Sequence, residues 1–124
     1  MRDEKTPPVE LSVRTKEFAQ RIIRLFCSLP KTTLAKVLGK QVLRSGTSVG
    51  ANYREAKRSR SKSEFIAKIG DCLKELDETS YWVELLVESG LVNPSKLMVL
   101  HDECDQLIAI STTITKRTKE RVAS

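Results

Sequence analysis

Histidine is almost missing from this chain: His101 stands alone among 124 residues. A di-iron bundle needs Glu-x-x-His motifs on two helices, and the matching position before His101 is Met98. Glu55, Glu75 and Glu78 offer carboxylates, but without histidine support they make a poor metal set. Cysteine is scarce too. Cys27, Cys72 and Cys104 are an odd number with no C-x-x-C pair, which speaks for buried free thiols against a zinc or disulfide framework. Six aromatic residues are too few for a stacked single-strand platform, and no helix-turn-helix or zinc-finger pattern is visible. No apolar run approaches the roughly 20 residues of a membrane span. The N-terminal MRDEKTPPVE lacks a signal peptide's apolar core, so a cytoplasmic protein without a membrane partner is expected.

Phosphate loops and nucleophile elbows are missing as well. Gly46-Thr47-Ser48-Val49-Gly50 has the outline of G-x-S-x-G, yet it lies in a helical pattern, not at a strand-to-helix turn. It also lacks the Lys-Ser or Lys-Thr that completes a P-loop. Cys104 and His101 have no third residue to orient them. We therefore expect no enzyme, no catalytic residue, no metal and no cofactor.

What is present is a chain 40% hydrophobic and 31% charged, the composition of one globular domain over residues 1–124. Its net charge of +6 is unevenly distributed. Residues 31–62 hold nine Lys or Arg against one Glu, a local +8. Residues 71–105 hold two against nine acids, a local −7, and residues 106–124 return to +3. Such a split fits a nucleic-acid footprint or two opposed surfaces that meet between copies.

Proline and glycine divide the chain into four segments with apolar residues at helical spacing. The predicted helices are about 9–28, 32–58, 62–89 and 94–117, with order from about 9 to 118 and frayed ends beyond. The first carries Leu11, Phe18, Ile22, Leu25 and Phe26 until Leu29-Pro30 stops it. The second starts at Thr32 or Thr33, either one an N-cap. Ser61 with Glu64 has capping-box spacing and opens the third, whose stripe is Phe65, Ile69, Cys72, Leu73, Leu76, Val83 and Val87, closed by Ser89-Gly90. Asn93-Pro94 opens the fourth, with Leu97, Leu100, Cys104, Leu107, Ser111 and Ile114 as its seam. Short connections favour antiparallel neighbours, hence an all-α, up-down-up-down four-helix bundle.

The second helix is the odd one. Wound at about 100° per residue, it gathers Leu34, Leu38, Gln41, Ser45, Ser48, Val49, Asn52 and Ala56 on the face expected to meet the core. Buried polar groups need partners, so Gln41, Ser48 and Asn52 are expected to form a cross-bundle network. Gly39, Gly46 and Gly50 lie with Leu43 and Tyr53 on a second face. Each glycine costs about 1 kcal/mol in a helix, so a stripe of three implies that something approaches the backbone closely. On the back of the third helix, Trp82, Leu85 and Tyr81 stand among Asp71, Glu75 and Glu78, which suits an interface anchor. Lys36, Lys40, Arg44, Arg54 and Arg58 take the remaining face of the second helix, and Lys57, Arg60 and Lys62 carry the charge into the turn. Arg44 suits assembly against carboxylates; Lys57, Arg58, Arg60 and Lys62 suit phosphate.

LFCSLP, QVLRSGTSVGANYREA and SKSEFIAKIGDCLKELDETSYWVELL resemble the four-helix-bundle family of proteins encoded in intervening sequences of bacterial 23S rRNA genes. The likeness spans about residues 16–90 and includes Gln41, Arg44, Ser45, Ser48, Asn52, Glu55, Ser61, Phe65, Glu75, Glu78 and Trp82. Tyr53-Arg54 departs from the smaller apolar pair usual after the asparagine. The resemblance implies a left-turning antiparallel bundle in a ring-shaped homopentamer. In that ring Gly39, Leu43, Gly46 and Gly50, with Arg44, Glu75, Glu78 and Trp82, would form the contacts between subunits. The family is also similar to accessory proteins of diversity-generating retroelements, basic pentamers that bind a reverse transcriptase and nucleic acid.

Two readings follow. One is a non-enzymatic homo-oligomeric scaffold binding structured RNA or a ribonucleoprotein partner through Lys57, Arg58, Arg60 and Lys62, with Lys36, Lys40 and Arg54. The other is a purely structural ring whose basic and acidic faces satisfy each other between subunits.

Overall fold

Local chemistry sets each helix boundary. A computed structural model describes residues 8–123 of the chain, with side chains from 11 to 121. It contains α1 (Pro8–Ser28), α2 (Thr33–Lys57), α3 (Lys62–Glu88) and α4 (Pro94–Ala123). Thr32 caps α2, its hydroxyl accepting from Ala35 N–H at 3.2 Å. Ser61 caps α3 by accepting from Glu64 N–H at 3.0 Å, while the Glu64 carboxylate accepts from Arg60 N–H at 3.1 Å. Asn93 caps α4, its Oδ1 accepting from Ser95 N–H at 2.9 Å. Gly90, at φ 76, ends α3. Leu91 N–H reaches Leu86 C=O and Gly90 N–H reaches Val87 C=O, the paired bonds of a Schellman motif that glycine alone adopts without strain.

The four helices form an antiparallel bundle in which α2 packs on α1 and α3, and α3 also on α4. The seam between α1 and α4 is sparse; Arg14 spans it, donating to Gln106 Oε1 at 2.7 Å and pairing with Glu103 at 3.4 Å. Phe18, Ile22, Val42, Val49, Ile69, Leu76, Leu86 and Leu107 fill the core. Among the described residues no helix is long and apolar enough to cross a membrane.

Helix α2 is rotated from the expected orientation. Its buried residues are Ala35, Gly39, Val42, Ser45, Gly46, Val49, Tyr53 and Ala56, while Leu34 is exposed and Leu38, Gln41, Ser48 and Asn52 are half-buried. The network expected from Gln41, Ser48 and Asn52 is accordingly not the one that crosses the bundle. Gln41 Oε1 accepts from Arg44 Nε of the same helix at 3.4 Å, and Ser48 Oγ donates to Arg44 C=O at 2.6 Å. The crossing is made instead by Thr79 Oγ1, which donates to Ser45 Oγ at 2.9 Å; Ser45 Oγ in turn donates to Gln41 C=O. Cys72 Sγ adds a second buried α3-to-α2 bond, to Val49 C=O at 3.5 Å.

The glycine stripe needs a second correction. A Cβ at Gly46 would fall 2.7 Å from Ile22 Cγ1, one at Gly39 2.8 Å from Leu29 Cδ1, and one at Gly50 3.3 Å from Thr15 Oγ1. The close neighbour along this stripe is therefore α1 and the residue following it in the same chain, not a sister molecule. Leu43 is half-buried against the core beside it. Helix α4 also outruns its expected end at 117 and continues to Ala123. Ile114 packs on the core and Thr118 Oγ1 donates back to its carbonyl at 2.8 Å, so residues expected to fray remain helical. The fraying expected at the N-terminus falls, for residues 1–7, outside the described residues.

Candidate nucleic-acid and partner surfaces

The antiparallel order brings the end of α2, the start of α3 and the end of α4 to one pole of the bundle. Arg58 and Arg60 occupy the connecting turn, Lys57 ends α2 and Lys62 opens α3, and all four are exposed. Among the described residues none of them is ion-paired. Lys57 Nζ donates to Ser12 Oγ at 3.0 Å and sits 6.0 Å from the centre of the Tyr53 ring. Tyr53 itself is buried, and its hydroxyl pKa is pushed up to about 12 by burial and then by the charge of Cys72.

Two recesses flank Tyr53 and Lys57. One, of about 620 Å³, runs between α1 and α2 over Gly50, with Lys16, Arg54 and Arg58 on its walls. The other, of about 720 Å³, lies between the α2–α3 turn and the C-terminal part of α4. Arg60, Lys62, Arg117 and Arg121 line it. Lys16, Arg117 and Arg121 were missed as site residues. The +3 of the final segment is the sequence signal for Arg117 and Arg121, and fraying expected beyond 117 hides Arg121; Lys16, on α1, has no such signal. Lys36 and Lys40 are exposed but belong to the opposite end of α2, so the basic run does not form one patch.

Arg44 finds its partners at home. It pairs with Glu75 at 3.3 Å and with Glu78, both on α3 of the same chain. Arg44 thus has carboxylate partners within its own chain. The antiparallel register that sets Ser45 opposite Thr79 also sets Arg44 opposite Glu75 and Glu78. Glu55 pairs with Lys68 at 2.7 Å, and His101 Nε2 lies 2.9 Å from Glu84 Oε2. Among the described residues no three His, Cys, Asp or Glu side chains gather as metal ligands would.

Trp82 is half-buried, its Nε1–H 3.5 Å from Glu78 Oε1 and its ring edge-on to Tyr81 at 5.1 Å. The register that pairs Arg44 with Glu78 carries Val37 and Leu34, further along α2, toward Trp82 on α3; in this apolar ridge Leu34 is 49%, Val37 56% and Tyr81 54% exposed. The leucine expected in the core thus stands on the ridge.

These features define an all-α, antiparallel four-helix-bundle protein with a cationic pole and an exposed apolar ridge on α2 and α3. The model of the 23S rRNA-intervening sequence protein family matches residues 9–113, and the chain belongs to that family. The match stops short of Arg117 and Arg121. A crystal structure of a Bacteroides thetaiotaomicron protein of the S23 ribosomal protein family, itself of unknown function, is similar at 34% identity and a TM-score of 0.82. The likeness covers 94% of this chain and 99% of that one. No curated protein matches.

Proposed function

We propose that this chain is a non-enzymatic homo-oligomeric scaffold, a pentamer on the family resemblance, that binds structured RNA or a ribonucleoprotein partner through its cationic pole. The observation that carries this reading is the set Lys57, Arg58, Arg60 and Lys62, exposed together and without ion pairs among the described residues. Cations that hold the fold together are matched by carboxylates of the same chain, as Arg44 is. Exposed and unmatched, they suit phosphates, contacted through charge and shape rather than base edges. Mobility-shift titration at two salt concentrations tests the reading. Four phosphate contacts predict a loss of roughly 10²-fold in affinity between 50 and 200 mM salt. Changing Lys57, Arg58, Arg60 and Lys62 to Glu abolishes binding; affinity untouched by those changes refutes the assignment.

The exposed ridge of Leu34, Val37 and Tyr81 beside Trp82 favours the second reading, a structural ring without nucleic acid. Under either reading Trp82→Ala yields monomers or aggregates in light scattering. The structural ring alone requires that the wild-type protein have no affinity for nucleic acid at low salt.

A further inference from the structure

The recess between the α2–α3 turn and α4 concentrates charge more than a surface track requires. Lys57 comes from α2, Arg60 from the turn, Lys62 from the first residue of α3, and Arg117 and Arg121 from α4. These five basic side chains line one recess of about 720 Å³. Ser59 Oγ, on the same wall, is buried and has no hydrogen-bond partner among the described residues. A buried unpartnered hydroxyl is unfavourable, so Ser59 calls for a water, an ion or a ligand group to complete its bonding. Phe65 and Ile114 supply an apolar side to the recess, enough to accommodate a sugar edge. Glu55, Glu64 and Glu120, the acids nearest these residues in sequence, are not among its lining residues, and Glu64 is turned back onto Arg60 N–H.

We infer that this recess receives the terminal phosphate monoester of a nucleic-acid strand. The inference rests on the reading that the cationic pole meets nucleic acid, and it adds which phosphate is held there. Internal phosphodiesters carry one charge each and need less: in the neighbouring recess Glu55 stands among Lys16, Arg54, Lys57 and Arg58, whereas this one has five basic side chains and no acid on its walls. A monoester carries about −1.5 to −2 at pH 7 on three acceptor oxygens. Cations converging from three elements, together with an unsatisfied hydroxyl donor, match that concentrated anion.

Fluorescence anisotropy with one short single-stranded RNA in three forms tests this: 5′-phosphate, 3′-phosphate and hydroxyl at both ends. At least one phosphate-ended form binds about tenfold more tightly than the hydroxyl form, the worth of one or two charge-assisted hydrogen bonds. The two phosphate arms distinguish which end is held. The preference shrinks as pH falls through the monoester's second ionisation near 6. Arg117→Gln and Ser59→Ala each bring the phosphate-ended strand toward the hydroxyl-ended one, with helicity and melting of each variant measured alongside. Should Arg117→Gln fail to fold, Ser59→Ala and Lys62→Gln decide. Equal affinity of all three strands overturns the terminal-phosphate site while leaving the cationic-pole reading intact. So does a preference that survives these substitutions. If no strand binds at low salt, both readings fall together.

Discussion

Replacing the glycines of the bundle one at a time by alanine separates two effects that share a magnitude. Alanine gains about 1 kcal/mol over glycine in a helix interior, through backbone entropy alone. Gly70 lies in α3, exposed, with nothing within 4 Å of an added Cβ. Gly70→Ala is thus expected to stabilise the fold by about 0.5–1 kcal/mol. Gly46 offers the same gain, but its Cβ would lie 2.7 Å and 2.9 Å from Ile22 Cγ1 and Cγ2, and 3.1 Å from Ile22 Cβ. Ile22 is β-branched and fully buried on α1, held to one preferred χ1 in a helix. No rotation removes both γ-carbons, so α1 and α2 must separate. Overpacking of this kind costs about 1–3 kcal/mol, and the net result is destabilisation by about 1 kcal/mol. Gly50→Ala, with its nearest neighbour at 3.3 Å, falls between the two. Gly39→Ala meets the flexible end of Leu29 and is milder than Gly46→Ala.

Urea unfolding followed by far-ultraviolet circular dichroism, at one fixed protein concentration, reads the order directly. The Gly70 and Gly46 variants should differ by about 2 kcal/mol in opposite senses around wild type. A double-mutant cycle sharpens the cause: Ile22→Ala costs less in the Gly46→Ala background, with a coupling of about 1 kcal/mol or more. If Gly46→Ala proves as stabilising as Gly70→Ala, α1 does not press on α2 there. The stripe would then be open to a second subunit, and the packing described above would be wrong.

Two further substitutions probe the interior. Thr79→Val or Ser45→Ala alone should destabilise by about 1–3 kcal/mol, since each disrupts the buried hydroxyl pair; removing both should cost clearly less than the sum, measured by the same unfolding. Cys72 and Cys104 are buried, and burial pushes their thiols up to about 12 and about 11 from 9.0. At mildly alkaline pH a thiol reagent should therefore modify one cysteine per native chain, the exposed Cys27, and three after denaturation. The same raised values set a sign for pH. The folded state keeps protons that the unfolded thiols release, so stability is complete below about pH 9 and falls as pH climbs toward 11–12.

Features fixed within one turn of chain were legible in the sequence. Ser61 with Glu64, Asn93 before Pro94 and Gly90 after α3 each act through bonds to residues at most five positions away, and all three boundaries fall within a residue of where they were expected. What the sequence hid was the rotation of α2. Helical winding puts Leu34 and Leu38 on the core face with Ser45, Val49 and Ala56, yet Ala35, Gly39 and Gly46 are buried beside the last three while Leu34 is exposed. Small residues go inward because α1 and α3 both press on α2, and that crowding is a tertiary fact. The glycines correctly demanded a close neighbour. Its identity depended on α1 lying antiparallel along them, which no local pattern encodes.

The same folding rule reshapes the charge pattern. Along the chain, residues 31–62 read as one block of +8. In a straight helix Lys40 and Arg58 stand about 27 Å apart at 1.5 Å per residue, more than two Debye lengths at physiological salt. The block is therefore two separate patches, and Lys36 and Lys40 cannot reinforce the turn cluster except along an extended ligand. Meanwhile α4, running antiparallel to α3, returns Arg117 and Arg121 from the end of the sequence to the recess beside Arg60 and Lys62. The cationic pole is thus a product of topology, assembled from segments about sixty residues apart in the chain. Charge reversal at Arg117 should consequently weaken a ligand held at the turn, whereas reversal at Lys36, though nearer the turn in sequence, should leave that ligand's affinity almost unchanged.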